Sequence, residues 1–199
     1  MPYEQIIESN LKGVFRVQPK VFTDQRGYYS PTLVVSEFEK ATGVAFNLIQ
    51  VASSFNSEKG VFRGLHYQAY PYTQGKLVMV TQGSVLDLAL DIRKNSSTFG
   101  HYVSEILTAE KQNQFWIPSG FAHGYLALED RTRFTYFVTD GEYSPQSERG
   151  VNVFDPSLHF DLPLSRREIK LSDKDHFYQI YPIFQRKTYY ERTSFRHRP

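Results

Sequence analysis

The chain is dominated by short segments rich in β-branched and aromatic residues, each separated from the next by turn residues. Segments such as KLVMVTQG, HYVSEILT and RTRFTYFV have the length of strands, and stretches such as PSG and TDGEYSP carry residues that favour turns. No repeat of roughly 20 to 50 residues is visible, which argues against a propeller or a solenoid. We therefore expect an all-β sandwich or barrel with a few short helices.

The segment SVLDLALDI alternates in a way that predicts two different strand faces. In strict alternation one face carries Leu86, Leu88, Leu90 and Ile92, and the other carries Val85, Asp87, Ala89 and Asp91. A barrel with an apolar shell and a partly polar interior would use this pattern.

Two short helices are expected. Ser36 and Glu39 have the spacing of a capping box, and Gly43 is placed to end the first helix. A second short helix is expected to begin near Ser172 or Asp173.

Length and composition describe an ordinary globular protein. The chain has 199 residues, of which 40% are hydrophobic and 22% are charged, which suits one domain. We place that domain at residues 1–184, followed by a basic tail at 185–199 that we interpret as a solvated segment. Aromatic residues make up 16% and favour a β-rich architecture. The formal net charge of +2 is too small to indicate nucleic-acid binding.

The chain contains no cysteine, so disulfides and thiolate chemistry are excluded and the reducing cytoplasm is the expected compartment. The start of the sequence, MPYEQIIESN, lacks the basic and apolar regions of a signal peptide. No apolar run of about 18 residues is present, so no membrane-spanning segment is expected.

The segment GVFRGLHYQ combines residues typical of a buried strand with Arg63, Gly64 and His66. In strict alternation Arg63 and His66 would point to opposite faces. Glycine within a strand often marks a β-bulge, and a bulge at Gly64 would bring Arg63 and His66 to the same side. The segment is therefore a candidate wall of a catalytic or binding site.

Three further residues are candidates for chemistry. Lys76 opens the next strand, His123 lies between glycines with Phe121 and Tyr125 on its own face, and Tyr136 aligns with core-type residues. Taken singly, Lys76 is also consistent with a solvated strand end, and Tyr136 with a core or rim position.

A metal site is not expected, because His66 belongs to no His-x-His pair and no glutamate follows at the spacing of a metal ligand. The sequence also lacks a nucleophile elbow, a P-loop and a dinucleotide-binding fingerprint. These observations leave two alternatives, namely cofactor-free acid–base chemistry and simple binding.

The blocks GVFRGLHYQ, QGKLV, FWIPSGFAHGYLAL, TYFVTD, YSPQSERGV and LSDKD together resemble the dTDP-4-dehydrorhamnose 3,5-epimerase family. The resemblance runs from about Phe15 to Asp175. It implies a cupin-type jelly-roll barrel, a homodimer that exchanges N-terminal strands, no metal and no organic cofactor. It also implies a nucleotide-diphosphate 4-keto-6-deoxyhexose substrate, used in deoxysugar and O-antigen biosynthesis, with no nucleic-acid or membrane partner.

The resemblance also assigns roles to individual residues. It implies His66 as the base, Asp175 as its orienting partner with Asp173 as the second choice, and Lys76 and His123 as stabilisers of an enolate. Tyr136 is the implied acid on the opposite face. The implied substrate-binding residues are Arg63, Arg26 of a partner subunit, Gln50, Gln68 and Tyr143.

The chain departs from the family pattern where the nucleotide is expected to bind. Pro31 stands where a glutamate is usual, Ala52 replaces an asparagine, Phe137 replaces a lysine, and Glu142 replaces one member of a tyrosine pair. These changes leave open whether the nucleotide is dTDP or CDP, and whether C3, C5 or both are inverted.

Two other functions are alternatives to epimerisation. A nucleotide-sugar 3,4-ketoisomerase would share the fold, but the FAHG and LSDKD blocks are not expected together in that class. A non-catalytic sugar-binding barrel would not need His66, Asp175, Lys76 and Tyr136 to be retained together.

Overall fold

The protein is described by a computed structural model over residues 2–178, which form two antiparallel β-sheets, a hairpin and two short helices. Chain order gives the elements β1 Tyr3–Glu8, β2 Phe15–Pro19, β3 Phe22–Asp24, β4 Gly27–Tyr29, α1 Val35–Thr42, β5 Leu48–Asn56, β6 Phe62–Gln68, β7 Gln74–Gln82, β8 Ser84–Asp91, β9 Tyr102–Thr108, β10 Gln114–Ile117, β11 Phe121–Ala127, β12 Thr132–Asp140, β13 Glu148–Gly150 and α2 Asp173–Phe177.

The larger sheet has the strand order β1-β2-β10-β7-β12-β5, and the smaller has the order β13-β6-β11-β8-β9. Strands β3 and β4 form a separate hairpin. One apolar core lies between the two sheets, because Val78 and Phe134 of the first pack in the same cluster as Ala89 and Tyr125 of the second. This arrangement confirms the expected jelly-roll barrel.

Strand β8 has the two predicted faces. Val85 and Ala89 join the core between the sheets. The leucine face packs in a second cluster, against Val151 and Ile169 from the C-terminal part of the described chain. Irregular segments of the chain therefore cover this side of the barrel and shield it from solvent.

The first helix confirms one expectation and corrects another. Gly43 ends α1 with a φ of +71°, and its N–H donates to the carbonyl of Glu39. The predicted capping box is wrong, since α1 begins after Val34 with no side-chain cap, and Ser36 lies inside the helix. The carboxylate of Glu39 instead accepts a hydrogen bond from the N–H of Phe46 at 2.8 Å, which ties the helix to the following loop.

The second helix begins where the sequence indicated. Ser172 is the N-cap of α2, and its hydroxyl accepts a hydrogen bond from the N–H of Asp175. This cap matters for the site, because it fixes the turn that carries Asp175.

The predicted bulge at Gly64 is present. His66 pairs with His123 and Arg63 pairs with Tyr125, so three steps along β6 correspond to two steps along β11. Gly64 has a φ of +122°, and a Cβ atom there would lie 2.5 Å from the Cα of Gly124. Only glycine fits this close approach, and the bulge turns Arg63 and His66 to the same face.

Among residues 2–178 the protein has no helix that is long and apolar enough to cross a membrane. The proposed basic tail at 185–199 lies outside the described residues.

Candidate active site

His66 is paired with a buried carboxylate. Its Nε2 lies 2.5 Å from Oδ1 of Asp175, whose other oxygen accepts a hydrogen bond from the hydroxyl of Ser172 at 2.9 Å. Burial raises the pKa of Asp175, but the hydrogen bond and charge of His66 outweigh it and hold that pKa below its usual value. Asp175 thus stays ionised and orients the imidazole, whereas Asp173 is exposed in the same helix.

A second histidine–carboxylate pair lies deeper between the sheets. Nε2 of His123 lies 2.9 and 3.0 Å from the two carboxylate oxygens of Asp87. His123 is 5% exposed and Asp87 is fully buried. Burial raises the pKa of Asp87, and the charge and hydrogen bond of His123 oppose that shift. Burial of both groups fixes the ring of His123 in one orientation.

Lys76 is a cation with an unusually low pKa. It shares the interior face of β7 with Val78, and in the register it lies opposite Val138 of β12. Burial lowers the pKa of the Lys76 ammonium to about 8, while the carboxylates of Glu148 and Asp87 oppose the shift. The ammonium is therefore mostly charged at neutral pH and can lose its proton within the working range of an enzyme.

Tyr136 projects from β12 toward the same interior. Its ring packs on the core between the sheets, 6.3 Å from the ring of His123. Burial raises the pKa of Tyr136 well above its usual value, and the nearby hydroxyl of Ser54 acts in the opposite direction. The phenol is consequently protonated at neutral pH and available as a proton donor.

Arg63 stands on the same wall as His66. Its Nε donates to Oδ1 of Asn56 at 2.9 Å, and its Nη2 donates to the carbonyl of Phe55 at 3.2 Å. These bonds attach the guanidinium to β5 although Arg63 belongs to β6. The side chain is held near the site while the residue stays exposed.

Three other expected substrate-binding residues differ in their exposure to solvent. Gln68 is buried and accepts a hydrogen bond from the N–H of Ser144 at 3.3 Å. Tyr143 is exposed, and its hydroxyl donates to Glu148 at 2.6 Å. Gln50 is exposed on β5, at the edge of the larger sheet.

Within one protomer, Arg26 does not lie among the residues of the candidate active site. Its guanidinium pairs with Asp24 of the same hairpin at 2.6 Å, and 84% of its side chain is exposed. A role for Arg26 at the site would have to come from contact with another subunit.

Several residues at the site were not identified from the sequence. Asp87 had a usable signal, because it is an acid in the middle of a strand whose neighbouring residues are apolar. Glu148, which approaches His66 and Lys76 closely enough to interact with their charges, had none. The same holds for Ser54 and Asn56, whose importance depends on contacts with other strands.

Within residues 2–178 no group of three or more His, Asp or Glu side chains is arranged to hold a metal ion. The site instead offers a histidine with a carboxylate partner, an ammonium, a second histidine and a phenol. His66 lies on the smaller sheet and Tyr136 on the larger, so a ligand between the sheets meets a base on one side and an acid on the other. This arrangement can remove a proton from one face of a carbon and return one to the opposite face.

Comparisons with known proteins agree with the proton-transfer chemistry that this arrangement allows. The family model described as dTDP-4-dehydrorhamnose 3,5-epimerase matches residues 8–181. The chain is 44% identical over 170 residues to the dTDP-4-dehydrorhamnose 3,5-epimerase of Shigella flexneri, an alignment that covers 85% of this chain and 92% of the relative.

Two solved structures show the same similarity in three dimensions. The dTDP-4-dehydrorhamnose 3,5-epimerase from Sulfolobus tokodaii superposes with a TM-score of 0.80 at 43% identity, covering 89% of this chain and 94% of that one. The dTDP-6-deoxy-D-glucose-3,5-epimerase from Legionella pneumophila, in complex with dTDP-4-keto-L-rhamnose, gives a TM-score of 0.82 at 41% identity, covering 86% and 89%.

Proposed function

The chain belongs to the dTDP-4-dehydrorhamnose 3,5-epimerase family and is an isomerase, and we propose that it inverts C3, C5 or both of a nucleotide-diphosphate 4-keto-6-deoxyhexose. One observation carries the proposal. The His66–Asp175 pair and the phenol of Tyr136 stand on opposite walls of the same interior.

The proposed reaction begins with proton abstraction by His66. The ketone at C4 acidifies the neighbouring C–H bonds, so no further electron sink is required. His66 takes the proton from C3 or C5, and the electron pair of the broken bond moves to the C4 oxygen to give an enolate. Asp175 stabilises the imidazolium that forms, as in other His–Asp pairs.

Lys76 and His123 are proposed to stabilise the enolate oxygen. Preorganised charge in a site shielded from water is the most effective way to lower such a barrier. The ring of His123 is held by Asp87 before substrate arrives, and the buried ammonium of Lys76 lies in the field of the Glu148 and Asp87 carboxylates. No reorganisation of these groups is needed when the negative charge develops.

Tyr136 completes the inversion. It donates its proton to the carbon from the face opposite His66, and the electron pair of the enolate returns to form the new C–H bond. The phenol regains a proton from solvent and His66 releases one, so the protein ends as it began. A second round at the other carbon would invert that centre by the same steps.

Arg63 is the proposed diphosphate-binding residue. A guanidinium binds phosphate oxygens through charge-assisted, bidentate hydrogen bonds, and Arg63 is exposed on the wall that carries His66. We propose dTDP as the nucleotide, because the similar epimerase from Legionella pneumophila is in complex with a dTDP-linked sugar.

The changes at Pro31, Ala52, Phe137 and Glu142 bear on nucleotide preference. Phe137 packs against the outer cluster around Trp116, and Glu142 is exposed. Measured kcat/KM values for matched dTDP-linked and CDP-linked substrates test the choice. A preference for dTDP above about 100-fold supports the proposal, and a preference for CDP contradicts it.

A homodimer is proposed as the working form. Strand β5 is an edge strand of nine residues with Leu48, Ile49, Val51 and Phe55 exposed. An exposed apolar edge of this length is a surface that proteins normally cover. The β3–β4 hairpin of a second copy, which exposes Tyr28 and Tyr29 beside Arg26, would cover such an edge. Sedimentation equilibrium tests this, and a monomer at micromolar concentration contradicts it.

The central test of the proposed function is incubation with dTDP-4-keto-6-deoxyglucose in D2O, followed by proton NMR. Epimerisation predicts deuterium at C3, C5 or both together with inverted products. Movement of the keto group would instead indicate a 3,4-ketoisomerase. Binding without exchange would indicate a non-catalytic barrel.

A further inference from the structure

We propose that Tyr125 is a positioning residue for Tyr136, because its buried hydroxyl belongs to a hydrogen-bonded chain that links the surroundings of the proton donor to Arg63. The inference rests on the proposed function, since it concerns how the acid of that reaction is held. Tyr125 itself is not proposed to touch the substrate.

This hydrogen-bonded chain is built from three side chains on two strands. The hydroxyl of Tyr125 lies 2.7 Å from Oγ of Ser54, and it donates to Oδ1 of Asn56 at 3.1 Å. Tyr125 is 1% exposed and Asn56 is also 1% exposed. Hydrogen bonds in such surroundings are costly to lose, because water cannot replace the missing partner.

The orientation of the Asn56 amide fixes which group donates in each hydrogen bond. Its Nδ2 donates to the carbonyl of Thr132 at 3.2 Å, so its Oδ1 faces both Tyr125 and Nε of Arg63. An amide oxygen can only accept, and the single proton of the Tyr125 hydroxyl is therefore used on Asn56. The bond between Ser54 and Tyr125 then takes its proton from Ser54.

Tyr136 lies beside this hydrogen-bonded chain. Ala52, the residue opposite Tyr136 in the register, has no polar side-chain atom. The ring of Tyr136 lies 6.5 Å from the ring of Tyr125, and the hydroxyls of Ser54 and Tyr125 are both close enough to influence its phenol. Removing the hydroxyl of Tyr125 would release Ser54 from its bond and would change what the phenol of Tyr136 meets.

Ring packing holds Tyr125 in place independently of its hydroxyl. Its ring stacks on Phe134 with centroids 4.1 Å apart, and Phe134 in turn contacts Tyr136 edge-on at 4.8 Å. Tyr125→Phe keeps this packing and removes only the hydrogen bonds. The substitution therefore separates hydrogen bonding from the filling of the core.

The test compares inversion with deuterium exchange in the same reaction mixture. We expect Tyr125→Phe to lower the ratio of inversion to exchange by about 5- to 50-fold, because a misplaced proton donor returns the proton less often to the correct face. KM should change by less than about twofold, since Asn56 still accepts the hydrogen bond from Arg63. Ser54→Ala should reproduce the loss, and the double variant should lose little more than either single variant.

Tyr102→Phe is the matched control. The hydroxyl of Tyr102 accepts a hydrogen bond from the N–H of Asp161 at 2.9 Å, and its ring packs on Phe160. This variant removes a hydrogen-bonded phenol from the other side of the smaller sheet. Its ratio of inversion to exchange should equal that of the wild type.

A second readout does not depend on turnover. In protein labelled at the Cζ carbon of tyrosine with ¹³C, the resonance of Tyr136 is assigned by its absence in Tyr136→Phe. We expect Tyr125→Phe and Ser54→Ala to shift this resonance and Tyr102→Phe to leave it in place.

The outcomes separate the two proposals. If the wild-type protein catalyses no exchange, the proposed function is contradicted. The Tyr136 resonance then decides the inference alone: a shift in Tyr125→Phe supports it, and an unshifted resonance overturns it. An active wild type with an unchanged ratio and an unshifted resonance in Tyr125→Phe overturns the inference. If Tyr125→Phe does not fold, Ser54→Ala provides the same two readings.

Discussion

His66 and Asp175 are 109 residues apart in the sequence, yet Nε2 of one lies 2.5 Å from Oδ1 of the other. The strand β6 supplies the histidine, and the short helix α2 supplies the carboxylate from the C-terminal end of the described chain. Ser172 holds that carboxylate by accepting the N–H of Asp175 and by donating its own hydroxyl. The proposed base is therefore oriented by a capped helix turn rather than by its own strand.

Asp175→Asn should lower the exchange rate by about 10²- to 10⁴-fold, because the amide keeps the shape but not the charge that stabilises an imidazolium. Asp173→Asn is the matched control, since this carboxylate is exposed on the same helix. Its exchange rate should stay within about twofold of the wild type. Exchange followed by proton NMR measures both variants, and equal losses in the two would contradict the assignment of Asp175.

Activity should fall as pH rises through about 8, because burial lowers the pKa of Lys76 to about 8 and the charged form is the one that stabilises an enolate. The sign follows from the protonation state, since the ammonium is present below this pKa and lost above it. Lys76→Arg should move the alkaline limb beyond about pH 10, even if its maximum rate is lower, because arginine keeps its charge there. If the alkaline limb of the pH profile stays near pH 8 in Lys76→Arg, a residue other than Lys76 causes it.

Tyr136→Phe should keep measurable deuterium exchange while inversion at one or both centres falls by at least about tenfold. Burial raises the pKa of this phenol well above its usual value, which makes it a donor and a poor base. The measurement is the ratio of inverted product to deuterium incorporated. If the variant inverts both centres as fast as the wild type, Tyr136 serves only in packing.

Mixing two inactive variants should restore activity if Arg26 acts across the proposed dimer. Arg26 is directed away from the site of its own protomer and pairs with Asp24. In a mixed dimer of His66→Ala and Arg26→Ala, one site combines His66 of one copy with Arg26 of the other. Random exchange at equal concentrations should return about a quarter of the wild-type activity.

Two outcomes contradict this arrangement. Arg26→Ala that is fully active shows that the residue is not needed at all. An inactive Arg26→Ala that mixing does not rescue, in material shown by sedimentation to contain mixed dimers, places the residue in its own protomer.

The parts of the fold that were predictable from the sequence depend on local patterns. Alternation in β8, the glycine at the bulge in β6, the end of α1 at Gly43 and the start of α2 near Ser172 each follow from a few neighbouring residues. The capping box at Ser36 failed because Glu39 has a different partner, the N–H of Phe46, which the local pattern did not indicate. Local rules hold where no residue from outside the segment competes.

The site was predictable only in part for the same reason. His66, Lys76, His123 and Tyr136 were proposed from motifs that each lie on one strand, and the choice between Asp175 and Asp173 as the partner of His66 needed the position of α2. The hydrogen bonds of Ser54, Asn56 and Arg63 join strands whose proximity only the fold establishes. Polar residues of this kind carry no distinguishing pattern in a single sequence.

The most direct test of the proposed mechanism is proton exchange by wild-type protein and by His66→Ala in D2O, with dTDP-4-keto-6-deoxyglucose as substrate. The proposed mechanism predicts deuterium at C3, C5 or both with the wild type. It predicts a rate lower by at least about 10²- to 10⁴-fold with His66→Ala, provided that the variant remains folded. Undiminished exchange at both carbons in His66→Ala would contradict the assignment of the base and with it the proposed mechanism.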